Sequence, residues 1–274
     1  MNLTISIIQT SLHWENPTAN MAMLEEKITA IAHTDLIVLP ETFNSGFTMN
    51  PASVAEPMNF TTFKWLKMMA QKTGAVITGS YAVKENGFFM NRLVMMQPSG
   101  EYATYDKRHL YRMGGEDKVY KAGQKKLIVN VKGFNICPLI CYDIRFPVWA
   151  RNVDLEYDIL LYTANWPGFK RNVWNTLLQA RAIENQAFVI GANIVGTDGN
   201  GLSYCGDSAI IDFKGDILKN NYNEDTIITH TIEKQSLLDF REKFPAYLDA
   251  DRFSISHLTS NSAARTTLNS ESYR

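Results

Sequence analysis

The chain has 274 residues, and its hydrophobic content of 45% is sufficient for a sizeable core in one large domain or two small ones. A formal net charge of −1 and an isoelectric point near 6.5 indicate no attraction to nucleic acid or to an anionic membrane surface. The three cysteines, two of them in one apolar segment, favour free thiols in a reducing compartment, and we expect a cytoplasmic protein.

Short apolar strands alternate with longer helices in the first half of the chain, which opens on a strand-like segment rather than a secretory signal. Asn16 is a fitting helix start, and Gly74 is a typical helix C-cap. No apolar run is long enough to span a membrane. Strands are predicted over 3–8, 36–39, 75–80, 88–97 and from 102 to about Lys107, and helices over 17–32 and 60–72.

A long loop rich in glycine and charge, 108–124, separates the two halves of this pattern. Such a loop inside a compact domain is usually functional or disordered, and the glutamate that it carries favours a function. The polar segment 257–274 is predicted to be a disordered or extended arm, which leaves 1–256 as the folded domain. Further strands are predicted over 126–131, 134–141, 158–162 and 187–194, with a helix over 171–185.

Cys141 ends an apolar run and is followed at once by polar residues and a proline. This pattern indicates a buried strand that delivers a thiol to a sharp turn, where it meets a substrate while free backbone N–H groups face a developing oxyanion. The alternative is a buried cysteine that packs as a small hydrophobe, which is the commoner case for a lone cysteine.

Two other strand-like runs also end in a charged residue, namely Glu41 and Lys107, and the long loop carries Glu116. Each of these residues alone is most simply a solvated surface charge. Together they place a glutamate, a lysine and a cysteine after strands, and in open α/β sheets the functional sites gather at the carboxyl ends of strands.

At these positions the chain resembles the nitrilase superfamily, the carbon–nitrogen hydrolases, which carry a Glu-Lys-Cys triad in this order and a second glutamate between the lysine and the cysteine. The resemblance runs from the N-terminus to about Phe253. Trp166 and the stretch 112–116 point to the omega-amidase branch. The matching segments are 39–41, 106–110, 140–147, 164–167, 178–186 and 206–208.

The resemblance implies an α/β fold of the four-layer α-β-β-α sandwich type. The spacing of strands and helices alone also allows a single doubly wound sheet. Family members usually form homodimers through their outer helices, so we expect a homodimer, with a monomer as the alternative. His109 is expected to support the site rather than to react.

The resemblance assigns a role to each residue of the site. Cys141 is the nucleophile, Glu41 the general base, and Lys107 a fixed positive charge beside the carbonyl oxygen. The backbone N–H of Tyr142 is the second oxyanion donor. Glu116 holds Lys107 or orients the substrate, with a purely structural ion pair as the alternative. No metal or organic cofactor is expected, because the three cysteines lack the spacing of a zinc site.

Omega-amidases hydrolyse the terminal amide of small dicarboxylate monoamides such as 2-oxoglutaramate and 2-oxosuccinamate, so the resemblance implies a small-molecule amide substrate with a carboxylate at its far end. Such a carboxylate requires a cation. The candidates are Arg145, Lys170 and Arg171, while Phe43, Trp166 and Phe169 are candidate pocket walls or core residues. Two other functions remain open. One is a different amide, nitrile or carbamoyl hydrolase of the superfamily, and the other is a non-catalytic binding protein on the same fold.

Overall fold

Residues 1–255 are described by the structure, a computed structural model. The predicted polar arm over 257–274 lies outside the described residues. The strands are β1 (Asn2–Gln9), β2 (Leu36–Val38), β3 (Val76–Glu85), β4 (Phe88–Met96), β5 (Tyr102–Asp106), β6 (Val129–Val131), β7 (Phe134–Ile140), β8 (Ile159–Thr163), β9 (Phe188–Ala192), β10 (Val195–Thr197), β11 (Ser203–Ile211), β12 (Ile217–Tyr222) and β13 (Thr226–Glu233).

The helices are fewer and mostly lie on the outside of the molecule. In addition to the α-helices, short 3₁₀-helices occupy turns, and one of them, Cys141–Arg145, directly follows β7. The α-helices are α1 (Pro17–Thr29), α2 (Pro51–Val54), α3 (Thr61–Thr73), α4 (Glu116–Val119), α5 (Pro147–Ala150), α6 (Arg171–Asn185) and α7 (Lys234–Lys243).

The strands form two mixed sheets. The first has six strands in the order β13-β1-β2-β3-β4-β5, with β1, β2 and β3 parallel to one another. The second follows the order β10-β11-β9-β8-β7-β6 and carries β12 on β11, with β7, β8 and β9 parallel. Each sheet therefore has a parallel centre and antiparallel flanks, and the strand ends of both centres are available for a site.

The two sheets pack face to face and the helices cover their outer faces. Strand β4 contacts β7, and β1 contacts β9 and β11. Along β1 the alternation of side chains directs Ile5 and Ile7 into the core between the sheets and Ile8 towards α1 and α3. Helix α6 packs on β9 and β11 on the other side. This is the predicted four-layer α-β-β-α sandwich, and the single doubly wound sheet is excluded.

Local sequence explains where the main helices begin and how closely they pack. The Asn16 side chain accepts a hydrogen bond from the Ala19 N–H and caps α1, as predicted. Gly74 adopts the left-handed conformation that ends α3. A Cβ at Gly191 would lie 2.7 Å from Leu178 and 2.9 Å from Trp174, so glycine is required for α6 to approach β9.

Most predicted elements are confirmed, with shifts of a few residues at their ends. Strand β3 is longer than predicted because it continues to Glu85 as a hairpin with β4. The long loop 108–124 contains a 3₁₀-turn and the short helix α4 instead of irregular chain throughout. Helix α1 ends at Thr29, three residues before the predicted end at 32.

Candidate active site

The three predicted triad residues meet where their strands end. Glu41 follows β2, Lys107 follows β5, and Cys141 follows β7, so two residues come from the first sheet and one from the second. The Lys107 Nζ atom lies 2.7 Å from Oε1 of Glu41. Lys107 and Cys141 line the same pocket. Facing the two sheets therefore brings together groups that lie up to 100 residues apart in the sequence.

Lys107 is a fully buried cation held by two buried carboxylates. Its Nζ atom lies 2.7 Å from Glu41 and 3.0 Å from Glu116. Burial alone would lower the pKa of Lys107, but the adjacent carboxylates of Glu116 and Glu41 outweigh it and raise that pKa well above the ordinary lysine value. The side chain is therefore a permanent positive charge at this position.

Glu116 is the first residue of α4 and is completely buried. Its carboxylate accepts a hydrogen bond from the Tyr111 N–H at 2.5 Å in addition to the contact with Lys107. Burial raises the pKa of Glu116 above the ordinary glutamate value against the opposing effect of Lys107, and the nearby negative charge of Glu41 adds to the increase. Its contacts fix the long loop against the lysine.

Cys141 occupies a strained turn at the end of β7. Its φ of +43° lies in the left-handed region, which a non-glycine residue adopts at a cost of about 1–3 kcal/mol. Burial and then the negative charge of Glu41 raise the pKa of the Cys141 thiol well above its ordinary value. A thiol with a raised pKa needs a base to become the thiolate, which is the form that acts as a nucleophile.

The turn that carries Cys141 also presents a backbone N–H group at the start of a 3₁₀-helix. Tyr142 is the second residue of the 3₁₀-helix Cys141–Arg145, and the first N–H groups of a helix have no acceptor within it. A backbone N–H beside the Cys141 thiol and the buried ammonium of Lys107 are groups that can together stabilise negative charge on a carbonyl oxygen.

Two buried asparagines fix Glu41, and sequence reasoning assigned a role to neither. The Asn165 N–H donates to Oε2 of Glu41 at 2.9 Å, and the Asn165 side chain donates to the Glu41 carbonyl at 2.9 Å and to the Thr42 hydroxyl at 2.7 Å. The Asn91 amide donates to Oε1 of Glu41 at 2.8 Å. A polar residue among the apolar residues of β4 was the available signal for Asn91.

The pocket above Cys141 is small, with a cavity volume of about 190 Å³. Drug-sized ligands usually occupy pockets of about 300–1,000 Å³, so the size suits a molecule of a few heavy atoms. Its walls are mostly aromatic or apolar with a few polar groups. They are formed by Phe47, Met49, Tyr111, Tyr142, Trp166, Pro167, Leu202 and Tyr204.

Two cations line this pocket besides Lys107. The Arg145 guanidinium lies 5.3 Å from the ring centroid of Trp166 and is exposed. The Lys170 ammonium donates to the Tyr111 hydroxyl at 3.0 Å. Within residues 1–255, neither cation forms a salt bridge with a carboxylate, so both are available to an anionic ligand.

Three of the predicted substrate-binding residues do not line the pocket. Phe43 is fully buried under the outer helices against Trp65, with 5.8 Å between ring centroids, because the chain directs it to the outer face of the first sheet. Phe169 is 72% exposed. Arg171 forms two 2.8 Å hydrogen bonds with Asp207, so its charge is already neutralised. These three residues therefore lie outside the pocket lining, whereas Trp166 is part of it.

The hairpin between β10 and β11 supplies a wall that sequence reasoning missed. Asp198 accepts hydrogen bonds from the N–H groups of Asn200 and Leu202 and from the Tyr204 hydroxyl, which shapes the tip of the hairpin over the pocket. A Cβ at Gly199 would lie 2.4 Å from the Trp14 ring, so glycine lets the tip pack against the N-terminal segment.

Within residues 1–255, all three cysteines are free, and no group of three or more His, Cys, Asp or Glu side chains is arranged to hold a metal ion. In the same part of the chain, no helix combines the length and the apolarity needed to cross a membrane.

Comparison with known proteins identifies the family of the chain. The family model of carbon-nitrogen hydrolases matches residues 4–242. The omega-amidase YafV of Escherichia coli is 43% identical over 92% of this chain and 98% of its own length. The 2-oxoglutaramate amidase of Bacillus subtilis is 33% identical over 91% of this chain and 98% of its own length.

A solved structure gives the same result in three dimensions. A CN-hydrolase superfamily protein of Xanthomonas campestris, determined with an arsenic adduct in its active site, is 42% identical, covers 93% of this chain and 100% of its own, and has a TM-score of 0.91. Sequence and fold therefore agree, and the chain belongs to the carbon-nitrogen hydrolase family.

Proposed function

We propose that this protein is a cysteine-dependent omega-amidase, which hydrolyses the terminal amide of small dicarboxylate monoamides such as 2-oxoglutaramate and 2-oxosuccinamate to an acid and ammonia. The observation that carries the proposal is that Cys141, Lys107 with its partner Glu41, and two cations that form no salt bridge within residues 1–255 meet at one small pocket. The names of the omega-amidase and 2-oxoglutaramate amidase relatives support the same substrate class.

The first half of the reaction follows from the protonated thiol. Glu41 takes the proton from the thiol as the sulfur attacks the amide carbon, and the carbonyl oxygen acquires negative charge. The Lys107 ammonium and the Tyr142 N–H stabilise that charge. Glu41 then passes its proton to the amide nitrogen, the carbon–nitrogen bond breaks, and ammonia leaves a thioester on Cys141.

The second half reverses these roles with water. Glu41 takes a proton from a water molecule, whose oxygen attacks the thioester carbon. The Lys107 ammonium and the Tyr142 N–H again stabilise the tetrahedral adduct. When the adduct collapses, the carbon–sulfur bond breaks and the proton returns from Glu41 to sulfur. Because Lys107 and the two asparagines orient Glu41 throughout, one carboxylate serves both half-reactions.

The far carboxylate of such a substrate requires a positive partner, and Arg145 and Lys170 are the two candidates that line the pocket. Both lie on the pocket that Cys141 lines. A carboxylate held there places the opposite amide at the sulfur, which converts binding into orientation. Arg171, which is paired with Asp207, is no longer a candidate.

We further propose that the protein is a homodimer that acts in the cytoplasm. The outer layer beside the second sheet exposes apolar side chains, namely Val148 in α5, Ile183 in α6 and Leu238 in α7, and this supports association with a second copy. The free cysteines support a reducing compartment. Light scattering of the purified protein tests the dimer: a mass of twice 31.0 kDa is expected.

Ammonia release from a panel of small amides tests the proposed activity. We expect turnover of 2-oxoglutaramate and 2-oxosuccinamate, with no release from an aliphatic nitrile or a carbamoyl amine. Preference for a nitrile or a carbamoyl amine would assign a different activity in the family. Binding of these amides without turnover would indicate a non-catalytic protein.

A further inference from the structure

Asp143 is a fully buried carboxylate that faces hydrogen-bond donors from two separate segments. Its Oδ1 atom accepts from the His109 N–H at 2.9 Å and lies 2.7 Å from Nδ1 of the same residue. Its Oδ2 atom accepts from the Tyr105 hydroxyl at 2.8 Å and from the Ile140 N–H at 3.0 Å. The pocket lining does not include Asp143, so it does not belong to the surface that contacts substrate.

The hydrogen-bond partners of Asp143 lie close to the reacting groups in the sequence. Tyr105 and His109 lie two residues before and two residues after Lys107, while Ile140 directly precedes Cys141. Asp143 itself lies two residues after Cys141. From its place after Cys141, one carboxylate therefore binds both flanks of the lysine-bearing turn and the residue just before Cys141.

Both side-chain donors, His109 and Tyr105, are themselves held by aromatic neighbours. The His109 ring stacks on Phe146 with 3.8 Å between centroids and 9° between planes. The Trp149 indole N–H donates to the Tyr105 hydroxyl at 3.1 Å. Because each donor is fixed by its own neighbours, the carboxylate links two rigid turns and does not merely fill a polar gap.

We propose that Asp143 is a positioning residue, which sets the distance between the Lys107 ammonium and the Cys141 sulfur by joining the turns that carry them. The inference rests on the proposed roles of Lys107 and Cys141. These two residues belong to different sheets, so packing of the sheets alone leaves their relative position free to shift. A misplacement of about 1 Å at a reacting group costs about 10²-fold in rate, which makes a dedicated link valuable.

The test compares Asp143→Asn with Asp158→Asn. The asparagine keeps the shape, but its NH₂ group cannot accept the donors that one carboxylate oxygen now accepts. Asp158 is a matched control, because it is also a buried aspartate with several partners, including Lys234 and Arg241, but lies before β8, at the opposite end from the site. Tyr105→Phe is a milder second variant that removes one donor and keeps the ring.

Three quantities are measured for each folded variant: kcat, KM for 2-oxoglutaramate, and the rate constant for alkylation of Cys141 by iodoacetamide, followed on the peptide that contains it. For Asp143→Asn we expect kcat to fall about 30-fold or more, KM to change less than about threefold, and the alkylation rate constant to change about fivefold or more. Tyr105→Phe should change the same three quantities in the same direction. On a logarithmic scale, each change should be about a third of that in Asp143→Asn.

A purely structural role predicts a different pattern. Asp158→Asn should lower the unfolding temperature while kcat per folded molecule and the alkylation rate constant stay as in wild type. If Asp143→Asn shows that same pattern, the proposal is wrong. If Asp143→Asn does not fold, unchanged kcat and alkylation in Tyr105→Phe overturns the proposal. Absence of ammonia release by the wild type would refute the proposed function. This outcome is distinguishable from failure of the present proposal, because the alkylation rate constant reports the reactivity of Cys141 without amide hydrolysis.

Discussion

The backbone N–H of Asn165 donates a hydrogen bond to Oε2 of Glu41 over 2.9 Å, and this contact joins the two sheets at the proposed catalytic base. The other carboxylate oxygen is occupied by Lys107 at 2.7 Å and Asn91 at 2.8 Å. Glu41 is therefore held from both sides, and its freedom to rotate away from the thiol is removed before substrate arrives.

Replacement of Asn165 by alanine should loosen this arrangement without removing the backbone bond. The side chain donates to the Glu41 carbonyl and the Thr42 hydroxyl, and loss of both contacts lets the segment shift. We expect kcat for 2-oxoglutaramate to fall about 10- to 100-fold, with a smaller change in KM. Asn152→Ala is the control, because Asn152 is equally buried but bonds Tyr157 and Asn185 away from the site. Equal loss of kcat in both variants would contradict a local effect on Glu41.

Replacement of Cys141 by alanine should abolish ammonia release while the fold stays nearly intact, because Cys141 supplies the sulfur of the proposed thioester. We expect a loss of about 10³-fold or more in kcat, and Cys141→Ser should lose most activity. Cys137→Ala and Cys205→Ala should remain active, because neither thiol lines the pocket. Full turnover by Cys141→Ala would refute the mechanism.

Neutralisation of the true anchor should weaken binding of charged substrates selectively. Arg145→Gln and Lys170→Gln are compared on 2-oxoglutaramate and on an uncharged amide of similar size. A charge-assisted contact is worth about 1.5–3 kcal/mol, so KM for the charged amide should rise about tenfold or more in at least one variant. Arg171→Gln should leave KM unchanged, since that guanidinium is bound to Asp207. Equal effects on both amides in every variant would favour a broader amidase.

Tyr162 gives a prediction about stability and pH. Its hydroxyl is buried without a hydrogen-bond partner among the described residues, and burial raises its pKa well above the ordinary value. Tyr162→Phe should therefore increase the free energy of unfolding at pH 7 by about 1 kcal/mol. Above pH 10 the unfolded tyrosine loses its proton and the folded one keeps it, so wild-type stability falls as pH rises.

The Tyr162→Phe variant lacks that group, and its stability should fall less steeply than that of the wild type, by up to about 1.4 kcal/mol per pH unit. Urea unfolding at several pH values between 9 and 11 measures both effects. A curve parallel to the wild type above pH 10 would show that this tyrosine does not contribute to the alkaline loss.

The positions of Glu41, Lys107 and Cys141 were predictable because each follows a strand-like run, which is apolar before Glu41 and Cys141 and alternating with aromatic residues before Lys107. A run of this kind forms a strand, and the residue that follows it emerges at the edge of a sheet. For Cys141, the polar residues and the proline that follow also predict a turn. Such signals are local, so they survive without knowledge of how the sheets face each other.

The identity of the pocket walls was less predictable, because it depends on the direction of each side chain and not only on the position of the residue in the sequence. Lys170 and Arg171 are adjacent, but successive side chains on a helical turn point about 100° apart, so one faces the pocket and the other faces Asp207. Phe43 lies two residues after Glu41 and still turns to the outer helices. Tyr204 reaches the pocket only through a hairpin formed much later in the chain.

Because the site is divided between two sheets, the onset of turnover during refolding reports when the two sheets dock. Glu41 and Lys107 belong to the first sheet, and Cys141 and Asn165 follow strands of the second. Neither sheet alone holds a complete reaction centre, so during refolding turnover begins only once the two have docked in register. In a stopped-flow experiment with substrate present from the start, the lag before ammonia appears would time that docking, while far-ultraviolet circular dichroism would time the formation of strands and helices.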